Sequence, residues 1–480
     1  MSHPSEPGRG GLRIVRGGDD DQAAADSPGF GRRPATSHGD EPAMPPGRGP
    51  GGPSPLSRVA DIEPRHLAPP APGEQWTDAQ ADAWLAARDL VGWRFALDRI
   101  EKLLHELGDP HRAVPAIHVV GTNGKSSTTR MVAALLLAHG RHPGAFLSPH
   151  LADLRERIEI DGRPISEEQH VSAVSAVARA ATRVDQPGDP VTQFEAHTAS
   201  AFVALAEASC DVYVIEAGLG GRLDATNVLD APVVALTSVD LDHTALLGDT
   251  IAEITAEKVA VVTEGATLVL GATLSEEAII VARDHAARVG AHVVTAKPEP
   301  LDRKLGAGYQ ASNFAVARAV CEAYMGGLDL RIVREVAAAF TMPARFETIG
   351  TAPTTILDGA HNPAGARALA AALGEAGYER GGVAVMSVFA DKDAAGIVAA
   401  LGERCDRFVL CDCGSARAMR PADLAEVVRA TLPGAGATVV DAPLEALAAA
   451  RDAAGRDGFV VICGTLALAH AVRAPTETRP

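Results

Sequence analysis

The chain has 480 residues, 46% hydrophobic and 4% aromatic, with a formal net charge of −17. That length allows two or three domains, and the acidic balance argues against a nucleic-acid surface, because phosphate backbones are held by clustered Lys and Arg. No apolar run reaches the roughly 20 residues of a membrane span, and the N-terminus shows no continuous apolar signal segment. The cysteines Cys210, Cys321, Cys405, Cys411, Cys413 and Cys463 have no regular spacing, and Cys411-x-Cys413 lacks the second pair that would complete a zinc site. Reduced thiols in the cytoplasm are the expectation.

Residues 1–75 are rich in Gly, Pro, Ser, Arg and Asp, cannot bury a core, and are expected to be a disordered tail. Thr77 then caps a helix carrying Trp84 and Leu85. A second helical pattern spans 94–107, with Phe95, Leu97, Ile100, Leu103 and Leu104 as its apolar stripe. A strand over Ala116 to Val120 runs into Gly121-Thr122-Asn123-Gly124-Lys125-Ser126-Ser127 and a helix start. Strand, glycine loop and helix in that order make an anion cradle, in which backbone N–H groups and the positive helix end face phosphates. Lys125 adds a point charge, Gly121 and Gly124 allow close backbone approach, and Ser126 or Ser127 offers a hydroxyl to Mg²⁺. The generic P-loop pattern is incomplete, because Val119 stands where its first glycine belongs.

Beyond the loop, strands (144–148, 211–217, 232–239) alternate with helices (166–183, 193–209, 250–262), which predicts a parallel sheet with helices on both faces. A second alternating block follows Phe346, with strands at 354–357, 383–387, 407–411 and 459–463 and helices at 364–376 and 421–431. The expected division is a domain over 76–345 and a smaller one over 346–480.

Acids and histidines fall at strand ends, where open α/β sheets place ligands. Glu216 ends the strand before Gly218-Leu219-Gly220-Gly221, and a carboxylate there suits Mg²⁺. Asp242-His243 follows the next strand and Glu257-Lys258 the helix after it. Taken singly, each has an ordinary reading: a glycine turn, a packing histidine, a solvated helical pair.

The string Gly121-Thr122-Asn123-Gly124-Lys125-Ser126 resembles the ATP loop of the Mur ligase superfamily, which includes the folylpolyglutamate and dihydrofolate synthases. Glu216 to Asn227 resembles a signature of the folylpolyglutamate synthases, and Asp358-Gly359-Ala360-His361-Asn362-Pro363 is similar to another of the family's motifs. Further similar elements are Ser148-Pro149-His150-Leu151 with Glu156-Arg157-Ile158, Gln193-Phe194-Glu195 with Thr198, Gln310 with Asn313, Pro343-Ala344-Arg345-Phe346-Glu347, Asp391-Lys392-Asp393 and Gly464-Thr465-Leu466-Ala467. The chain departs from the family pattern at Ala344 (usually Gly), Ser126 (usually Gly in folate members), Val259-Ala260-Val261 after Lys258, and Ala467 (an aromatic lost).

The resemblance implies an α/β ligase: a P-loop Mur-ligase-type ATPase domain, then a smaller Rossmann-like domain, with the active site in the cleft. It implies ATP and two Mg²⁺ ions, with L-glutamate and a folate or dihydropteroate as substrates, and a monomer. Lys125 would hold the phosphates; Ser127, Ser148, Glu216, His243 and a carbamylated Lys258 would surround metal. Asn313 would meet adenine and Asp358 the ribose, while Arg345 and His361 act from the domain junction. Two alternatives are a cell-wall Mur-type ligase, which Ser126 favours, and a non-catalytic ATP-binding partner, which the joint presence of Lys125, Glu216, His243 and Lys258 disfavours.

Overall fold

A computed structural model describes residues 69–71, 74, 76–88, 96–305 and 308–473. The expected tail falls almost entirely outside these residues, as do Arg94 and Phe95.

The first sheet contains β1 (Ala116–Val120), β2 (Pro143–Phe146), β3 (Ile158–Ile160), β4 (Arg163–Pro164), β5 (Val212–Glu216), β6 (Val233–Leu236), β7 (Thr267–Leu270) and β8 (His292–Thr295), in the order β4-β3-β2-β5-β1-β6-β7-β8. Strand residues alternate between two cores, as the two-residue side-chain period requires. Tyr213 and Ile215 face α1 (Asp78–Ala87), α2 (Asp98–Glu106), α4 (Glu167–Val184) and α5 (Gln193–Glu207), while Val212 and Val214 face α3 (Lys125–Ala138), α9 (Gly308–Met325) and α10 (Leu330–Ala339). The short α6 (Thr244–Leu247) precedes α7 (Ile251–Val259) and α8 (Glu276–Val289), which cover β6 and β7. Thr77 caps α1 as expected, and Ser166, Thr192 and Thr250 close capping boxes on α4, α5 and α7.

The second sheet has the order β13-β12-β11-β14-β10-β9. Its strands are β9 (Glu347–Thr351), β10 (Thr354–Leu357), β11 (Gly382–Met386), β12 (Cys405–Leu410), β13 (Gly436–Val439) and β14 (Phe459–Cys463). Helices α11 (Pro363–Glu375), α12 (Ala394–Leu401) and α13 (Pro421–Thr431) pack on one face, and α14 (Pro443–Ala454) and α15 (Leu466–Arg473) on the other.

The expected parallel sheets are mixed. β3 and β4 add an antiparallel ribbon to β2, and β9 pairs antiparallel with β10. Two-residue turns reverse the chain between β3 and β4 and between β9 and β10, and a loop over 147–157 reverses it between β2 and β3, whereas parallel neighbours need a crossover. The carboxyl ends of β1, β2, β5 and β6 and those of β10, β11, β12 and β14 meet in one cleft, because side chains following them bond or line cavities together, as described next.

Candidate active site

The phosphate loop is held open by two glycines. Gly124 has φ +83°, and an added Cβ would lie 2.4 Å from Asn313 Oδ1; at Gly121 it would lie 2.0 Å from Thr237 Oγ1. The loop is laced to the exit of β6: Thr122 N–H donates to Ser238 O (2.8 Å), Asn123 N–H to Ser238 Oγ (2.9 Å), and Thr237 Oγ1 to Asn123 O (2.7 Å). Lys125 opens α3 and turns its Nζ back onto the carbonyls of Gly121 (3.1 Å) and Thr122 (3.3 Å). A cavity of about 260 Å³ adjoins the loop, lined among others by Asn123, Gly124, Ser127, Asn313, Arg345 and His361. Ser127 Oγ is buried with no hydrogen-bond partner, the condition of a hydroxyl that a ligand completes.

Glu216 ends β5 beside the loop, with Val119 as its register partner on β1. It is 1% exposed and accepts from Ser126 Oγ (2.9 Å) and Ser148 N–H (3.0 Å). Burial raises its pKa, against the opposing charge of Lys125. Ser126 thus meets the carboxylate, while Ser127, expected at the metal, lines the cavity beside the loop. Lys258 is 3% exposed and donates to Gly121 O (3.1 Å). Burial first, and then the charge of Lys125, bring its pKa down to about 7. The glycine string after Glu216 is a platform: at Gly221 a Cβ would lie 2.6 Å from Lys258 O, and Asp224 accepts from the N–H groups of Leu219 (2.8 Å) and Thr226 (3.0 Å).

His243, in a left-handed conformation (φ +51°), and Asp242 receive a lysine from the second sheet. Lys392 Nζ donates to Asp242 Oδ1 (2.7 Å) and His243 Nε2 (3.1 Å). Burial raises the Asp242 pKa, but bonds from Lys392 and Asn362 overcome it and leave it at about 2. Glu216 with Ser126 and Ser148 offers oxygen atoms of the kind a hard divalent ion takes, while His243 is held by Lys392 and Lys258 by the Gly121 carbonyl. Among the described residues, the one cluster with three His, Asp or Glu ligand atoms within 4.8 Å of one another is Asp78, Asp82 and His170, none of which lines the cleft cavities described here.

The junction between the sheets contributes Arg345, Asp358 and His361. Asp358 is 3% exposed; Oδ2 accepts from Tyr309 Oη (2.5 Å) and Phe346 N–H (2.8 Å), and Oδ1 from Ala360 N–H (2.8 Å). These bonds take three of the about four lone-pair sites of a carboxylate. Gly359 leaves room for the Arg345 guanidinium, which a Cβ would meet at 2.0 Å. His361 Nδ1 lies 2.9 Å from Gly359 O, so Nδ1 carries the proton and Nε2 is an acceptor; burial lowers its pKa to about 4. Ala344, where the family usually has glycine, holds φ +52°.

Sequence reasoning named Asp242, Asn362 and Lys392 within motifs but gave them no role, and it missed Tyr309. Asn362 Nδ2 bonds Asn123 Oδ1 (3.1 Å) and Asp242 Oδ2 (2.9 Å), tying the two sheets. A position in a string signals Asp242, Asn362 and Lys392, but their partners across the cleft lie 120 or more positions away, and that of Tyr309 lies 49 away, so spacing does not reveal them. Gln310, Ser312 and Asn313 lie inside α9, which begins at Gly308.

Two more cavities adjoin: the first shares Arg345 with the cavity at the loop and Pro149 with the second. One of about 650 Å³ is lined by Ser126, Arg130, Arg345, Leu466 and Arg473, among others. One of about 390 Å³ is lined by Ser148, Gln193, Phe194, Gly218, His243 and Arg417, among others. Phe194 lies against Gly218, where a Cβ would meet its ring at 2.3 Å.

Residues 344–466 match the family described as Mur ligase, glutamate ligase domain. A dihydrofolate synthase/folylpolyglutamate synthase from Mycobacterium tuberculosis is 38% identical over 368 residues, 68% of this chain and 75% of that one. The Escherichia coli structure of FolC in complex with DHPP and ADP superposes with a TM-score of 0.75 at 28% identity, covering 84% of this chain and 99% of that one. The Yersinia pestis bifunctional folylpolyglutamate synthase/dihydrofolate synthase, complexed with AMPPNP and Mn ion, gives 0.72 at 28% identity over 84% and 98%. An identity of 38% that spans three quarters of the relative, together with the phosphate loop and the two-sheet cleft, makes this chain a member of the dihydrofolate synthase/folylpolyglutamate synthase family, ATP-dependent ligases of the Mur type.

Proposed function

We propose that the chain joins L-glutamate to the carboxylate of a folate, and to that of dihydropteroate, through an acyl phosphate. The observation that carries this reading is a pair of cavities at the phosphate loop, one against Gly124 and Ser127 and one reaching Ser126 and Arg345, with a third beside Ser148, whose N–H donates to Glu216. ATP takes the first, with Asn313 at the base, Asp358 at the ribose and Lys125 released from its loop carbonyls to the phosphates. The relatives solved with ADP or AMPPNP support this. The pterin substrate takes the cavity of Phe194 and Gln193, as the complex with DHPP suggests, and L-glutamate the one beside Arg345.

The carboxylate oxygen attacks the γ-phosphorus and the bond to ADP breaks. The amine nitrogen then attacks the acyl carbon, and phosphate leaves with the C–O electron pair. The chain's own contribution is positioning and charge screening. Arg345, Lys125 and Lys258 are the cationic or nucleophilic groups within reach, and the neutral Nε2 of His361 accepts the proton the amine must lose. A divalent ion, as in the relative complexed with Mn, would be held by Glu216, Ser148, Ser126 and His243, with a carbamate on Lys258 as further ligand. It would screen phosphate charge; we assign two such ions. In this assignment Ser126 replaces Ser127 at the metal, and Ser127 turns to the phosphates.

No helix among the described residues is long and apolar enough to cross a membrane. Six free thiols support placement in the cytoplasm, and we assign a monomer with domains over 76–345 and 346–480. The test is phosphate release with Mg-ATP and L-glutamate plus dihydropteroate, tetrahydrofolate or a UDP-muramoyl substrate. Turnover with the first two is expected; turnover with the UDP substrate alone refutes the folate reading.

A further inference from the structure

The cavity assigned above to the pterin substrate is built almost wholly from the first sheet's elements, with one exception. Arg417 follows β12 of the second sheet and lines the same cavity as Ser148 and His243. It is rigidly placed. Ala390 N–H donates to Arg417 O (2.9 Å), Met419 N–H to Val388 O (2.8 Å), and Phe389 bridges Ala418. The guanidinium stacks 4.5 Å over the Phe389 ring and pairs with Asp391 at 3.1 Å. Asp391 neighbours Lys392, whose Nζ reaches His243. Arg417 therefore enters this cavity from the second sheet, on a loop bonded to the one that carries Lys392 to His243.

The other arginines there have firmer commitments. Arg88 forks onto Asp185 (3.1 and 2.8 Å) and donates to Val191 O (2.8 Å), and Arg157 donates to His150 Nδ1 (3.0 Å) among its contacts. The Arg417–Asp391 pair has side chains 60% and 47% exposed, and such pairs contribute little. A better-placed carboxylate can displace Asp391 at small cost.

The substrates differ, among other things, in how many carboxylates they carry. Dihydropteroate has a single carboxylate, which is the one activated. A substrate that already carries glutamate ends in two, and the one left unactivated sits a few atoms from the reaction. It needs a cation, and a planar guanidinium matches it with two parallel bonds.

We propose that Arg417 binds the unreacting carboxylate of a glutamylated substrate and so sets the preference for chain extension over the first glutamate addition. This rests on the folate reading above. Phosphate release by the full-length chain is measured with tetrahydrofolate, dihydropteroate, and a tetrahydrofolate analogue whose unreacting carboxylate is a carboxamide. For Arg417→Ala, KM for tetrahydrofolate rises about tenfold more than KM for dihydropteroate, the size of one charge-assisted bond. Arg417→Lys recovers part of the loss. The carboxamide weakens binding to the wild type by a like factor and to Arg417→Ala by none. Equal KM changes for both substrates, no change for either, or the same carboxamide penalty in both proteins overturns the proposal. Wild type inactive on every pterin refutes the folate reading itself, and that outcome is separate.

Discussion

At Gly124 an alanine would have to hold a left-handed conformation against Asn313, at a cost of roughly 1–2 kcal/mol, while the turn it occupies points the loop's N–H groups. Gly124→Ala should weaken ADP binding about tenfold by titration calorimetry, a factor equal to that strain; unchanged affinity would separate the loop from the nucleotide. Lys258 makes a sharper case. With its pKa near 7, a large share is neutral amine at physiological pH, the form that adds CO₂. Lys258→Ala should lower turnover at least about 100-fold, a loss on the scale of a charge-stabilising group in a dry site, with partial rescue by acetate or formate. The pair Ser126-Ser127 shows where sequence stops at this scale. Both hydroxyls were visible, but neighbours on a helix point about 100° apart, so which one meets Glu216 depends on how α3 is rotated against β5. No local pattern records that rotation.

Elements with a strong local signal were legible. Thr354–Leu357, Phe459–Cys463 and Pro421–Thr431 have the bounds the sequence gives them, because buried β-branched runs and a Pro at a helix start are self-announcing. The missed β8 and β13 are edge strands with mostly exposed residues, so they carry little apolar signal; their neighbours select their pairing. The glycine string 218–221 was read as a signature, yet its physical task is contact with α7. Gly221→Ala should cost about 1–3 kcal/mol, the range for overpacking against fixed backbone, seen as a lower urea midpoint. β1 also carries a proton-linked element. His118 is buried, its Nε2 2.8 Å from Thr226 Oγ1, and burial lowers its pKa to about 4. Between pH 4 and 6.5 the unfolded chain binds more protons here than the folded one, so this group's contribution to stability falls as the pH drops through that window. His118→Gln should flatten the acid side of the melting-temperature profile; an identical slope would show that other groups govern it.

The sequence made the two α/β blocks legible as blocks, but their facing edges are fixed by long-range bonds that no spacing encodes: Asn123 with Asn362, Asp242 with Lys392, Asp240 with Arg367. These bonds differ in weight. Arg367 and Asp240 are 57% and 34% exposed, and an exposed pair contributes less than about 1 kcal/mol. Lys392 and Asp242 are 7% and 11% exposed, and removing one partner of a buried pair strands a charge, at a cost of about 3–5 kcal/mol. The carboxylate would then face only Asn362 and a histidine. Lys392→Met should therefore lower the melting temperature clearly, whereas Arg367→Ala should leave it almost unchanged. Adding Asp242→Asn to Lys392→Met removes the stranded charge and should return most of the loss, because the amide still accepts from Asn362. If the double variant is no more stable than Lys392→Met, the penalty comes from lost packing around the lysine stem, and the charge pair is not what holds the two sheets face to face.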